Sequence, residues 1–308
     1  MKVGIFSKYN ETGFGGYHGS PCKIFKIIDE LHKVVGFQHY LNNYDEEYDF
    51  AIVDRINPKQ NIKAKYILAI FETKVKGGWA TDFCSISPAA RITGLNHFHL
   101  LNYCHGHKLD PKYLTKKRNR KGVFLGRLCG TSEFKIKLLN SSKFSLDLYP
   151  IKYWRGKEVL RFHRGGENSE ANRAFLQTIF PGSKVRRPIS HNGLYQALNK
   201  KGYRYGFVPS IYGLGSTRIQ IESSSKFFEY IGAGIPVLIE SNVPEAKIVE
   251  NNPFLGEVFC GRGEMLNKAK ALEAGEYEYH RILDFAQKNH YPDSRAREIY
   301  NNFIKNRR

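Results

Sequence analysis

Between Glu222 and Leu238, hydroxyls, an ammonium and two carboxylates gather around a helix start. Ser223, Ser224, Ser225 and Lys226 open the predicted helix. Free backbone N–H groups, hydroxyls and one cation there make an anion site. Glu229, one turn further on, can accept hydrogen bonds from two vicinal hydroxyls. Gly232 and Gly234 end the helix, and Ile235–Ile239 returns to a sheet. Recognition of a phosphate together with a ribose needs these residue types at this spacing. An ordinary helix with a solvated Lys–Glu pair is the competing reading.

The elements that must hold this segment follow from apolar runs and turn signals. Lys2–Ser7 reads as a buried parallel strand. A Gly-rich loop, 12–19, follows, and Ser20-Pro21 opens a helix with Ile24, Ile27, Ile28 and Leu31 on one face. Strands are expected at Val34–His39, Tyr48–Val53 and Tyr66–Phe71, with short strands and loops over Ala80–Leu101. His107–Lys121 is strongly basic and reads as an interdomain linker. A second strand–helix series then begins. Its strands are Gly122–Leu125, Phe144–Leu148, Val159–Phe162, Tyr203–Val208, Pro236–Glu240 and Val258–Cys260. Its helices are Ser132–Leu139, Asn168–Ile179, Leu194–Asn199, Ser223–Ile231 and Pro244–Glu250. From Glu264 onward the pattern is helical, with a break near Pro292. The expected class is α/β, with two Rossmann-like domains facing a central cleft, because such sheets take ligands at the carboxyl ends of their strands.

A chain of 308 residues with 41% hydrophobic and 14% aromatic residues supplies two cores. Lys and Arg total 48 against 29 Asp and Glu, a net charge of +19 that attracts polyanions or phosphorylated substrates. The five cysteines are widely spaced and contain no CxxC pair. They read as free thiols in a reducing, cytoplasmic compartment, that of the host cell for a viral protein. No signal peptide and no run of about 18 apolar residues is expected. The cluster Cys104, His105 and His107 reads as a loop rather than a metal site. Asp45, Glu46 and Glu47 precede a strand and read as a solvated turn, so no metal is demanded. The Gly-rich loop has neither a GxGxxG followed by an acidic residue nor a GxxxxGK[ST], which disfavours dehydrogenase and P-loop chemistry.

The Glu229 segment, with its Gly234-Ile235-Pro236-Val237 turn, resembles the donor-binding motif of the GT-B glycosyltransferases. The resemblance implies a sugar transferred from a nucleotide-diphosphate donor, a UDP-sugar first, to a hydroxyl. It implies Glu229 as ribose ligand, with Ser224, Ser225 and Lys226 beside the diphosphate. Glu222 and Glu229 stand one residue closer than in many retaining members, which leaves the stereochemistry open. Phe124-Leu125-Gly126-Arg127 resembles the first strand and turn of the C-terminal domain in this class, implying that Arg127 meets the diphosphate. Gly15 and Gly16 would approach the transferred sugar. Transfer needs a base or a carboxylate near the anomeric carbon. Glu72 and Asp54, at strand ends, and His18, in the Gly-rich loop, are the candidates. The implied domains are 1–118, joined by a C-terminal helix at about 284–308, and 119–283.

The layout is also similar to that of the DNA glucosyltransferases of T-even phages, which act on hydroxymethylated pyrimidines in duplex DNA. That likeness implies a viral, DNA-modifying enzyme with Lys116, Lys117, Arg118, Arg120, Arg155 and Arg164 on duplex phosphates. A glycan, lipid-linked or protein acceptor is the alternative, and a basic nucleic-acid-binding protein without catalysis is the third reading.

Overall fold

The computed structural model describes residues 1–7, 23–54, 56, 58, 60–71, 80–85, 96–100, 104, 108–114, 117–118, 120–125, 146–149, 151–154, 157–160, 184–186, 189, 193–210 and 224–307. The chain divides into two compact units. The first comprises Met1–Tyr103, Ile221–Ser223 and His290–Arg308, and the second Cys104–Gln220 and Ser224–Asn289.

The first unit is built on a six-stranded, all-parallel sheet. Its strands are β1 (Lys2–Ser7), β2 (Gln38–Leu41), β3 (Tyr48–Asp54), β4 (Ala64–Phe71), β5 (Asp82–Ser85) and β6 (Asn96–His99), in the order β2-β1-β3-β4-β5-β6. Alternation along the strands sorts the core into two faces. Val3, Ile5, Phe50, Ile52, Leu68 and Ile70 pack with Ile27, Ile28 and Leu31 of helix α1 (Lys23–Val35), and with Ala296, Ile299, Phe303 and Ile304 of the C-terminal segment. Phe6, Tyr48, Ala51, Val53 and Ile67 form the core on the other face.

The strand expected at Val34–His39 is split between two elements. Helix α1 runs to Val35 and ends where Gly36, at φ 63°, donates its N–H to the His32 carbonyl at 2.8 Å. Strand β2 starts only at Gln38. Val34 is therefore a helix-end residue that stays about half exposed, at 51%.

The second unit holds another six-stranded parallel sheet, β11-β8-β7-β12-β13-β14. Its strands are β7 (Arg120–Leu125), β8 (Leu146–Tyr149), β11 (Lys184–Val185), β12 (Tyr203–Val208), β13 (Val237–Glu240) and β14 (Gly256–Phe259). Between β8 and β11 the chain forms an antiparallel hairpin of β9 (Ile151–Trp154) and β10 (Lys157–Leu160), where the sequence suggested one later strand. Read in chain order, the six parallel strands have the 3-2-1-4-5-6 arrangement of dinucleotide-binding sheets. Among the described residues its helices are α2 (Leu194–Lys201), α3 (Ser225–Gly232), α4 (Ala246–Asn251), α5 (Gly261–Ala274) and α6 (Tyr279–Asn289). Helix α7 (Pro292–Ile299) belongs to the first unit and begins with Pro292 in its first turn, a position that tolerates the missing N–H.

The unit boundary expected at 118 lies at Tyr103/Cys104, because the basic stretch is anchored in the second unit. Leu109 and Leu114 are buried there, and the Leu109 carbonyl accepts a bond from Gln287 Nε2 at 2.7 Å. The other boundary, expected near 283, falls at Asn289/His290, since all of α6 stays with the second unit.

Candidate functional site

The chain reverses direction across the second sheet between β7 and β12. Ligands of open α/β sheets bind at the carboxyl ends of the strands at such a point. Leu125 ends β7, Val208 ends β12 and Glu240 ends β13. Helix α3 brings its start to this edge. Lys226 Nζ lies 5.6 Å from the ring centroid of Phe124, the penultimate residue of β7.

Helix α3 forms here because its apolar residues fall on one side, and Phe227, Phe228, Tyr230 and Ile231 are all buried. It ends in a Schellman arrangement. The Gly234 N–H bonds the Ile231 carbonyl at 2.9 Å, and the Ile235 N–H bonds the Tyr230 carbonyl at 2.9 Å. Gly234 takes φ +65°, the left-handed conformation that glycine adopts without strain. Pro236 then leads into β13. The Tyr230 ring lies over Gly206 of β12, where an added Cβ would come within 2.1 Å of the ring. Its hydroxyl accepts the Leu125 N–H at 2.8 Å and faces the Phe207 carbonyl at 3.4 Å. Full burial pushes the Tyr230 phenol far above its ordinary range, so it stays neutral.

Two carboxylates that the sequence reading did not single out organise the same edge. Glu245, buried in the turn before α4, accepts the Ser224 N–H with both oxygens, at 3.0 and 3.1 Å. Glu240, also buried, accepts the Ser210 N–H at 2.8 Å. Glu245 thereby fixes the residue that precedes α3, and the helix's own first-turn N–H groups follow it. The signal in the sequence was faint: each glutamate stands at a strand or helix boundary.

The predicted donor residues separate accordingly. Ser224 is the N-cap; its backbone N–H is taken by Glu245, and its hydroxyl makes no capping bond. Ser225 and Lys226 form the first turn of α3 and are half-buried. Glu229 is buried one turn inside the helix, on the same side as Lys226 and Ser225 by helical spacing. The cluster therefore presents hydroxyls, an ammonium and a helix N-terminus suited to a diphosphate, with a carboxylate one turn away. Arg127, Gly15 and Gly16 lie outside the described residues.

Of the catalytic candidates, Glu72 and His18 lie outside the described residues, and Asp54 is described. Asp54 ends β3 beside Ser7, its register partner at the end of β1. These two strands flank the reversal point of the first sheet. Asp54 is buried, with Oδ2 3.4 Å from Ser7 Oγ. Asn42, at φ 50°, holds the end of β1. Its side chain accepts the Ser7 N–H and donates to the Ser7 carbonyl, both at 2.9 Å.

The basic residues assigned to duplex phosphates do not form one class. Lys117 is exposed. Arg118 is not on a solvated face and its assignment is corrected: it is only 3% exposed, over the Tyr279 ring at 4.5 Å, with Nη1 donating to the Tyr203 carbonyl at 3.4 Å. The Tyr279 ring and the Tyr203 carbonyl hold this side chain inward, and burial lowers its pKa to about 10. Arg120 is the first residue of β7. Lys116, Arg155 and Arg164 lie outside the described residues. Among the described residues no group of three His, Cys, Asp or Glu side chains could hold a metal ion, and no helix is long and apolar enough to cross a membrane. Cys104 is buried, and its thiol donates to the Phe228 carbonyl at 3.2 Å.

No family model matches the sequence, and no curated protein matches it. Solved structures do resemble it. A glycosyltransferase involved in avilamycin A biosynthesis is 12% identical, with 99% of this chain and 98% of that chain covered at a TM-score of 0.62. The lipopolysaccharide outer core galactosyltransferase WaaB is 12% identical, with 99% and 100% covered at 0.61. T4 phage β-glucosyltransferase, in complex with its UDP-glucose substrate, is 12% identical, with 99% and 100% covered at 0.55. What is shared at such identity is the architecture: this chain has the two-domain α/β GT-B fold of those glycosyltransferases.

Proposed function

We propose that the protein is a glycosyltransferase that takes a sugar from a nucleotide-diphosphate donor, a UDP-sugar in the first instance. The observation that carries this reading is the start of α3 at the strand-reversal point of the second sheet, with Ser225, Lys226 and Glu229 on one helix side. The diphosphate would lie at the helix start, where dipole and ammonium stabilise the charge of the departing nucleotide. The ribose hydroxyls would donate to Glu229. Arg127, Gly15 and Gly16 belong to the same proposal. Asp54 is the described candidate for receiving the acceptor's proton, with Glu72 and His18 as the others.

The acceptor we propose is a hydroxymethylated pyrimidine in duplex DNA. The net charge of +19 supports it, as does the similarity in fold to the T4 phage enzyme. Lys116, Lys117, Arg120, Arg155 and Arg164 would contact phosphates, and the modified base would leave the stack to react. The reading carries with it a cytoplasmic protein of viral type.

The test is release of nucleoside diphosphate from a panel of sugar nucleotides, with hydroxymethylated duplex DNA, with plain DNA and without acceptor. One structure of the T4 enzyme holds UDP and Mn²⁺, so each arm is run with and without that ion. Release that depends on the modified DNA supports the full reading. Release indifferent to DNA keeps the transferase and moves the acceptor to a glycan or protein. No release from any donor leaves a basic binding protein on a transferase fold.

A further inference from the structure

The carboxyl ends of β5 and β6 bring together three side chains that the donor site does not use. Ser85, the last residue of β5, is fully buried. Its Oγ lies 2.7 Å from His99 Nδ1 and 3.1 Å from His97 Nε2. His97 and His99 are alternate residues of β6, the edge strand, and so project from the same face. Ser85 and His99 are register partners across the two strands. Packing fixes both rings. His97 stacks on Phe83 at 5.2 Å and 23°, and His99 stands edge-on to His97 at 4.6 Å and 80°. His99 is exposed and His97 half-buried, so the group is open to water.

Satisfying a buried serine requires one partner, and here two imidazoles converge on it. The hydroxyl has one proton and two lone pairs, so each ring nitrogen either donates to Oγ or accepts its proton, according to its tautomer. Two imidazoles and a hydroxyl offer lone pairs, and that set suits a cation of borderline softness. The spacing agrees. Ligands about 2.1 Å from one ion stand about 3.0 Å apart in octahedral and about 3.4 Å apart in tetrahedral coordination. The spacings of 2.7 and 3.1 Å lie about 0.3 and 0.1 Å from the octahedral value, and about 0.7 and 0.3 Å from the tetrahedral one. Asp82, on the same strand, is already engaged: Arg307 donates to its Oδ1 at 2.7 Å and Thr81 to its Oδ2 at 2.8 Å.

We infer that His97 Nε2, His99 Nδ1 and Ser85 Oγ form a binding site for a divalent transition-metal ion such as Zn²⁺ or Ni²⁺, with water completing the shell. Each imidazole then carries its proton on the other ring nitrogen. The site lies within the first unit and does not depend on the sugar-transfer reading.

Titration calorimetry of the full chain with ZnCl₂, and separately with NiCl₂, tests it. The expected result is uptake of one ion that the His97→Asn/His99→Asn double variant lacks. Ser85→Ala should bind that ion about tenfold more weakly or worse, as when a group that orients a ligand is removed. Isotherms that are the same for wild type and the double variant would overturn the site, since the remaining histidines and cysteines would then account for all uptake. If the double variant does not fold, nitrogen NMR of the wild-type imidazoles decides. Zn²⁺ must shift the His97 Nε2 and His99 Nδ1 resonances, and resonances unmoved at saturation sink the proposal.

Discussion

The Tyr230 hydroxyl accepts the backbone N–H of Leu125 at 2.8 Å, joining helix α3 to the last residue of a strand 105 positions away in sequence. One bond thus ties α3 to the strand end at which the second sheet reverses. Tyr230→Phe removes it and leaves a main-chain donor unmet. The expected loss is about 1–3 kcal/mol, read from the urea midpoint at unchanged slope. Gly206→Ala should cost about as much by overpacking, since the new methyl would overlap the Tyr230 ring. An unchanged midpoint in Tyr230→Phe would remove the brace from the account.

In the proposed reading, donor recognition turns on Glu229. Glu229→Gln keeps the volume of the side chain and removes its charge. If it receives ribose hydroxyls, UDP affinity measured by calorimetry should fall by about 10- to 100-fold, the equivalent of a charge-assisted hydrogen bond. The melting temperature should stay close to wild type. Equal UDP affinities would count against Glu229 as ribose ligand and leave it a helix residue.

Arg118 and Lys117 should behave oppositely despite their adjacency. Arg118 has no carboxylate partner among the described residues. Arg118→Met relieves a buried charge while losing the Tyr203 bond and the Tyr279 ring contact. Stability is expected to hold or rise, and DNA affinity to keep its salt dependence. Lys117→Ala, if Lys117 meets a phosphate, should lower the slope of log affinity against log salt by about one. A reduced slope in Arg118→Met would reverse this assignment.

His290 makes the first unit sensitive to acid. It is buried with Nδ1 accepting from Arg295 Nη2 at 2.9 Å, and burial followed by the Arg295 charge lowers its pKa to about 3. The unfolded chain, near the ordinary 6.5, binds this proton first. The stability it confers is therefore complete above about pH 6.5 and is lost as pH falls toward 3, at up to about 1.4 kcal/mol per unit. Glu298, whose pKa burial raises, works in the opposite sense as pH falls. Comparison with His290→Asn isolates the histidine: the variant, whose amide oxygen can replace Nδ1, should show a shallower decline. Parallel pH profiles would exclude His290 as the source.

Local pattern alone determined the strands whose two faces are both covered. Lys2–Ser7 and Tyr203–Val208 have the same bounds in sequence and structure, because a buried parallel strand is one continuous apolar run ended by turn residues. The helix expected at Ser223–Ile231 lies at Ser225–Gly232, legible in its apolar spacing and in the glycines that end it, though its start falls two residues later. Tertiary structure alone decided the order of the strands, the turning inward of Arg118 and the anchoring of Leu109 and Leu114 in the second unit. It also decided that Glu245 closes on Ser224 and that Ser85 meets His97 and His99. Spacing along a helix or strand carries a residue's face, but its partners come from segments far away in sequence, and only the packed sheets bring those segments together.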